Sequence, residues 1–80
     1  MTVAQQAYRL VVLARAYLLI GATAQASESV LAADRTAPGE VRERPAVRRL
    51  VRDLVHQRRG LVPVALVTLA DQLTTWPATR

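Results

Sequence analysis

Three stretches of the chain carry apolar side chains at helical spacing, and each does so differently. In the middle of the chain, Val47, Leu50, Val51, Leu54 and Val55 recur at i, i+3, i+4 and i+7. That spacing gathers them on one face of a helix, over an arc of roughly 140° at about 100° per residue. Near the C-terminus, Val62, Leu66, Leu69 and Leu73 make a second stripe. Ala65 and Trp76 lie at its edge, and Thr68, Asp71 and Thr75 face away. The first stretch has no stripe. Between residues 10 and 20 the sequence is LVVLARAYLLI, so apolar side chains point in every direction and only Arg15 breaks the ring. A helix that is apolar all round expects to be covered all round.

Punctuation along the chain divides these patterns into three helices over residues 3–32, 44–59 and 62–75. Residues 3–32 contain no proline and a single glycine, and they are rich in alanine and leucine, which favour helix. Residues 34–39, DRTAPG, read as a turn by composition. Pro45 fits the first turn of the second helix, where its missing N–H is no loss. Arg58 and Arg59 followed by Gly60 and Leu61 suit a helix C-terminus. Pro63 opens the third helix, and Trp76-Pro77 closes it, because a residue before proline is pushed out of the helical region. The expected fold is therefore all-α. One domain, residues 1–80, consists of a long N-terminal helix packed on a two-helix hairpin, completed by oligomerisation.

The long first helix carries the case for oligomerisation. Two short helices cannot cover all of an apolar cylinder, so part of its surface is expected to meet another chain. Ala7, Ala14 and Gly21 recur every seven residues, beside a parallel row of Leu10, Tyr17, Ala24 and Leu31. One small row and one larger row resemble the a/d seam of a coiled coil, where small residues let backbones approach closely. Ala7, Leu10, Val11, Ala14, Tyr17, Leu18 and Gly21 are the expected interface, with a second copy or with a different protein. The run at 10–20 is about half the length a membrane span needs, and Arg15 sits in its middle, so a spanning helix is rejected. Ala22-Thr23-Ala24-Gln25-Ala26 offers small-x-small sites of the kind a signal peptidase reads. Arg15 interrupts the apolar region such a signal needs, and an ordinary helix of a cytoplasmic protein is the preferred reading. Binding to a membrane surface is a weaker expectation than binding to protein.

Charge adds a second feature. The 80 residues carry 11 basic and 6 acidic side chains, a formal net charge of +5. Every basic residue is arginine, as a GC-rich bacterial coding sequence would favour, which weakens any inference from arginine over lysine. Arg44, Arg48, Arg49, Arg52 and Arg59 cluster on the second helix and its entrance. Arg48, Arg52 and Arg59 fall within roughly 40° of one another beside the apolar stripe. A row of unpaired guanidinium groups suits phosphate or carboxylate, so a nucleic-acid surface is the alternative function. The third helix has no arginine and one aspartate, and is poorly suited to reading a major groove. Tyr8, Tyr17 and Trp76 do not interleave with the basic row, which argues against single-strand stacking.

No catalytic arrangement is visible. The chain lacks cysteine, and His56 is its one histidine, so neither a thiolate site nor a histidine pair for a metal can be built. Glu40 and Glu43 stand at a helix entrance among Arg42 and Arg44, where complementing the helix dipole is the simpler role. Gly21, Gly39 and Gly60 are isolated and form no phosphate loop. Ser27 and Ser29 lie in no nucleophile-elbow pattern. The expectation is a non-enzymatic protein–protein interaction module or accessory subunit, with no cofactor, no metal and no small-molecule substrate.

Overall fold

The computed structural model describes residues 2–57 and 63–74, and among these it contains helices and no strand. The described residues form five helices: α1 (Val3–Leu19), α2 (Thr23–Thr36), α3 (Pro38–Arg42), α4 (Pro45–Gln57) and α5 (Val64–Thr74). Among the described residues no helix is long and apolar enough to cross a membrane. Gly60, Leu61, Arg58, Arg59, Val62 and the residues from Thr75 onward, Trp76 and Pro77 included, lie outside the described residues.

The long helix expected over residues 3–32 is two helices, α1 and α2, joined by a tight reversal. Gly21 has φ +82° and marks the break. Its amide donates to the Leu18 carbonyl at 3.1 Å, and the Ala22 amide donates to the Tyr17 carbonyl at 2.8 Å. These two bonds are the paired closing bonds of a Schellman cap, with the glycine in the left-handed position. A Cβ at Gly21 would meet nothing within 4 Å, so backbone conformation rather than space selects glycine here. The other end of α1 is fixed by a reciprocal cap. The Gln5 amide donates to Thr2 Oγ1 at 3.1 Å, and the Thr2 amide donates to Gln5 Oε1 at 3.0 Å.

Folding back at Gly21 packs α1 against α2 as an αα-hairpin. The contact is made by small residues: Ala7, Ala14, Ala26, Ser27, Val30 and Ala33 are all at most 1% exposed. Ala7, Val11 and Ala14, expected at an interface between chains, are thus buried within one chain. Leu10, Tyr17 and Leu18 are half-buried against the same core. Gly21 is in the turn rather than in a helical seam.

The turn expected at residues 34–39 is shorter than its composition suggests. α2 runs to Thr36, and Pro38 occupies the first turn of the five-residue α3. α3 lays Val41 into the core at 1% exposure. Arg42 returns to α2, where its guanidinium meets the Asp34 carboxylate in two parallel bonds of 2.8 and 3.1 Å. Thr36 Oγ1 bonds back to the Ala32 carbonyl at 2.8 Å and secures the last turn of α2.

α4 begins at Pro45 as expected, with the Arg44 carbonyl accepting from the amides of Val47 and Arg48. Val47, Leu50, Val51 and Leu54 are buried and Val55 is half-buried, which is the stripe read from spacing. In α5, Leu66, Leu69 and Leu73 are buried while Thr68 and Asp71 are exposed, again as spaced. The helices do not assemble around the most apolar one. α2 and α4 each pack against every other helix, whereas α1 lies to one side, on α2, α3 and α4. The molecule measures 31 × 30 × 17 Å. That thickness leaves room for two layers of helices at the usual spacing of about 8–10 Å.

Candidate interaction surfaces

The placement of α1 divides its ring of apolar side chains. Ala7, Val11, Ala14 and Leu18 face inward. Tyr8, Val12, Leu13, Leu19 and Ile20 face out, at 52%, 49%, 43%, 79% and 76% exposure. Tyr8, Val12, Arg15 and Leu19 follow i, i+4, i+7 and i+11 and form one row; Arg9, Leu13, Ala16 and Ile20 form the next. Together the rows extend for about 16 Å along the helix at 1.5 Å per residue. Isolated exposed apolar residues are ordinary; here five stand together on one side of α1 and its C-terminal cap.

At the N-terminal end of that face the surface becomes concave. Ala4, Gln5, Tyr8, Arg9 and Arg44 line a depression of about 600 Å³. Arg44, coming from the start of α4, lays its guanidinium over the Tyr8 ring at 5.4 Å from the centroid. A cation over an aromatic face at that distance is attracted by the ring quadrupole. The stacking fixes the head group on the rim of the depression.

The basic row expected on α4 is less available than the wheel suggested. Arg48 is half-buried, and its Nε donates to the Arg42 carbonyl at 3.3 Å, where it helps close the end of α3. Arg42 is engaged by Asp34, and the hydrogen bond between these side chains raises the guanidinium above its ordinary range against the opposing effect of burial. Arg49 and Arg52 are exposed, Arg44 is stacked on Tyr8, and Arg59 is outside the described residues. Two members of the expected row are thus engaged within the chain, Arg48 by the Arg42 carbonyl and Arg44 by the Tyr8 ring. The first follows from α3, whose last residue presents its carbonyl to Arg48.

A second concavity, of about 520 Å³, runs between α4 and α5. Arg48, Arg52 and His56 line one side and Asp71 and Thr74 the other, over Val51, Val55, Ala70 and Leu73. Among the described residues no group of three metal-ligating side chains comes together. Glu40 stands in the first turn of α3, in keeping with a dipole role, and Glu43 caps its end. Ser27 Oγ is buried in the helical core without a hydrogen-bond partner among the described residues.

The spacing of residues 10–20 announced an excess of apolar surface but attached it to the wrong side of the helix. The small seam residues suit a close backbone approach, which α2 supplies from the same chain. The bulkier Val12, Leu13, Leu19 and Ile20 were left over. No family model, curated protein or solved structure matches this chain.

Proposed function

We propose that this protein is a helical interaction module, an accessory subunit that associates with another protein chain through the outward face of α1. One observation supports the reading above the others. Five large apolar side chains of α1 and its C-terminal cap, Tyr8, Val12, Leu13, Leu19 and Ile20, stand 43–79% exposed on the side away from the core. Burying such groups is worth about 25 cal/mol per Å², so a partner surface of matching shape gains from covering them. The fold supplies a rigid platform, because the opposite side of α1 is locked onto α2. Association completes the cover that the helix lacks in the single chain.

Capture from native extract with two baits tests this. The wild-type chain is expected to recover a defined partner that a Val12→Asp/Leu19→Asp variant loses, while circular dichroism shows both baits equally helical. Recovery of the same proteins by both baits overturns the assignment of this face. A duplex-DNA titration runs beside it, with Arg49 and Arg52 as the exposed basic pair of α4. Tight binding with a slope of about 0.9 in log K per phosphate contact, against log salt, would replace the protein-binding reading with a nucleic-acid one.

A further inference from the structure

We infer that the groove between α4 and α5 is an interface between two copies of this chain, with α5 of each copy seated in the groove of the other. This surface is separate from the outward face of α1, so the two readings stand or fall independently. The groove has a volume of about 520 Å³ and an apolar floor of Val51, Val55, Ala70 and Leu73. Its walls differ in charge. Arg52, with His56 beside it, stands on the α4 side and Asp71 on the α5 side, and all three are exposed. Neither Arg52 nor Asp71 has an ion-pair partner among the described residues.

The complement of this groove lies on the same chain. Val64, Val67, Asp71 and Thr74 follow i, i+3, i+7 and i+10, which gathers them within roughly 80° on one side of α5. Asp71 and Thr74 line the groove, so this side of α5 borders it, and Val64 and Val67 beside them are exposed. α5 thus offers an apolar ridge with an acid, where the groove offers an apolar floor with a cation. α1, the other helix with an exposed apolar side, has no acid to set against Arg52. A two-fold axis crossing α5 between Ala70 and Asp71 satisfies both copies at once. The two α5 helices then run antiparallel, and Val67 meets the partner's Thr74. Arg52 and Asp71 flank one groove in each chain, so Asp71 arrives level with the partner's Arg52, and the partner's Asp71 with Arg52. Such a contact uses the same patch on both copies and closes at two. α5 has 11 residues, about 16 Å of helix. A contact of that length is at the small end of specific interfaces, below about 1,200 Å² in total, so the dimer is weak. Its exposed ion pairs make it salt-sensitive.

Sedimentation equilibrium from about 5 to 500 µM is the test, with circular dichroism to check that every variant is equally helical. The wild-type chain is expected to form a dimer and no larger species, with an affinity that falls as salt rises. Arg52→Asp alone and Asp71→Arg alone should each weaken the dimer about tenfold or more, because each sets like charges against one another. The two variants are then mixed. In the mixed dimer one pair is native and the other is reversed, so both pairs join opposite charges and the dimer should return. An ion pair within one chain gives no such rescue. Where a reversal lowers helicity, Arg52→Gln and Asp71→Asn replace it, each expected to weaken the dimer and to reduce its salt dependence. A monomer at every concentration overturns the inference, as does a dimer that neither reversal weakens. A dimer lost instead in a Leu19→Gln/Ile20→Gln variant places the contact on α1 and overturns it too. Assemblies that grow beyond two, or single variants that weaken the dimer without rescue on mixing, overturn the closed two-fold arrangement.

Discussion

Gly21 decides whether residues 3–32 form one helix or two, and its substitution has a sign that can be worked out in advance. The residue adopts φ +82° in the cap between α1 and α2. An L-residue in the left-handed region costs about 1–2 kcal/mol. Open space surrounds the site, with nothing within 4 Å of a Cβ, so no steric clash adds to that figure. Alanine also reduces the freedom of the unfolded chain, which returns about 0.4–1 kcal/mol. Gly21→Ala should therefore destabilise the fold by about 1 kcal/mol, or about 4–8 °C in Tm for a domain of this size. The D-alanine epimer, installed by chemical ligation, fits the left-handed region and has the same unfolded-state advantage. It should stabilise by about 0.4–1 kcal/mol. The difference between the epimers isolates the conformational cost, and urea denaturation monitored by circular dichroism measures it. Gly39 provides the opposite control. It lies within α3 with no Cβ contact inside 4 Å, so Gly39→Ala should stabilise by about 0.5–1 kcal/mol. If Gly21→Ala left stability unchanged or raised it while helicity increased, α1 and α2 would be one continuous helix and the hairpin described above would be wrong.

Other substitutions test the packing directly. Ala14→Leu puts a larger side chain where exposure is 0% between α1 and α2, and overpacking there should cost about 1–3 kcal/mol by denaturation; a loss of association with stability intact would return the small seam to a role between chains. Ser27→Ala removes a buried hydroxyl without a partner and should leave stability equal or higher by about 1 kcal/mol, whereas a clear loss would show that the hydroxyl is bonded. Asp34→Ala leaves the part-buried Arg42 guanidinium without its carboxylate and should cost about 1.5–3 kcal/mol. Because the hydrogen bond from Asp34 raises the Arg42 guanidinium above its ordinary range, the stabilisation it gives is complete below that range and is lost only as pH climbs through the raised value. Wild type should accordingly keep its advantage over Asp34→Ala in an alkaline titration to about pH 10, and a gap that closed on the way would refute the assignment.

The elements legible in the sequence were those that local rules can describe. α4 and α5 carry a clean stripe each, and Pro45 marks a start, so their inward residues were read correctly. The reversal at Gly21 was hidden by its surroundings. Alanine and leucine on both sides favour helix, and a lone glycine inside such a run can be tolerated at about 1 kcal/mol. The seven-residue spacing of Ala7, Ala14 and Gly21 then gave that glycine a false place in a helical row. α3 was hidden differently, because Pro38-Gly39 satisfies the composition of a turn as well as that of a helix start. The Arg42–Asp34 pair spans eight residues, which no helix or strand period brings together; only the reversal between α2 and α3 does. Arg48 was read as free because the carbonyl it engages belongs to that same unforeseen helix. Thr2 and Gln5, by contrast, stand at the spacing of a capping box and were readable.

The misplaced centre of the fold has a physical cause that bears on function. Apolar content pointed to residues 10–20 as the element to be surrounded, yet α2 and α4 are the helices that pack against every other. α2 presents Ala26, Ser27, Ser29, Val30 and Ala33, all buried and none larger than valine. A slender helix can be approached closely from several sides at once, whereas one studded with leucine, valine and tyrosine keeps its neighbours at a distance. Small side chains thus bring α1 and α2 close together, while α4 reaches every other helix through Val47, Leu50, Val51 and Leu54. α1 then had to lie to one side, with half of its apolar ring turned outward. Polar residues at Val12, Leu13, Leu19 and Ile20 would leave the inward contacts of α1 unchanged and would make the chain more soluble. Their apolar character is not required by this fold, which is the physical reason to assign it to a partner.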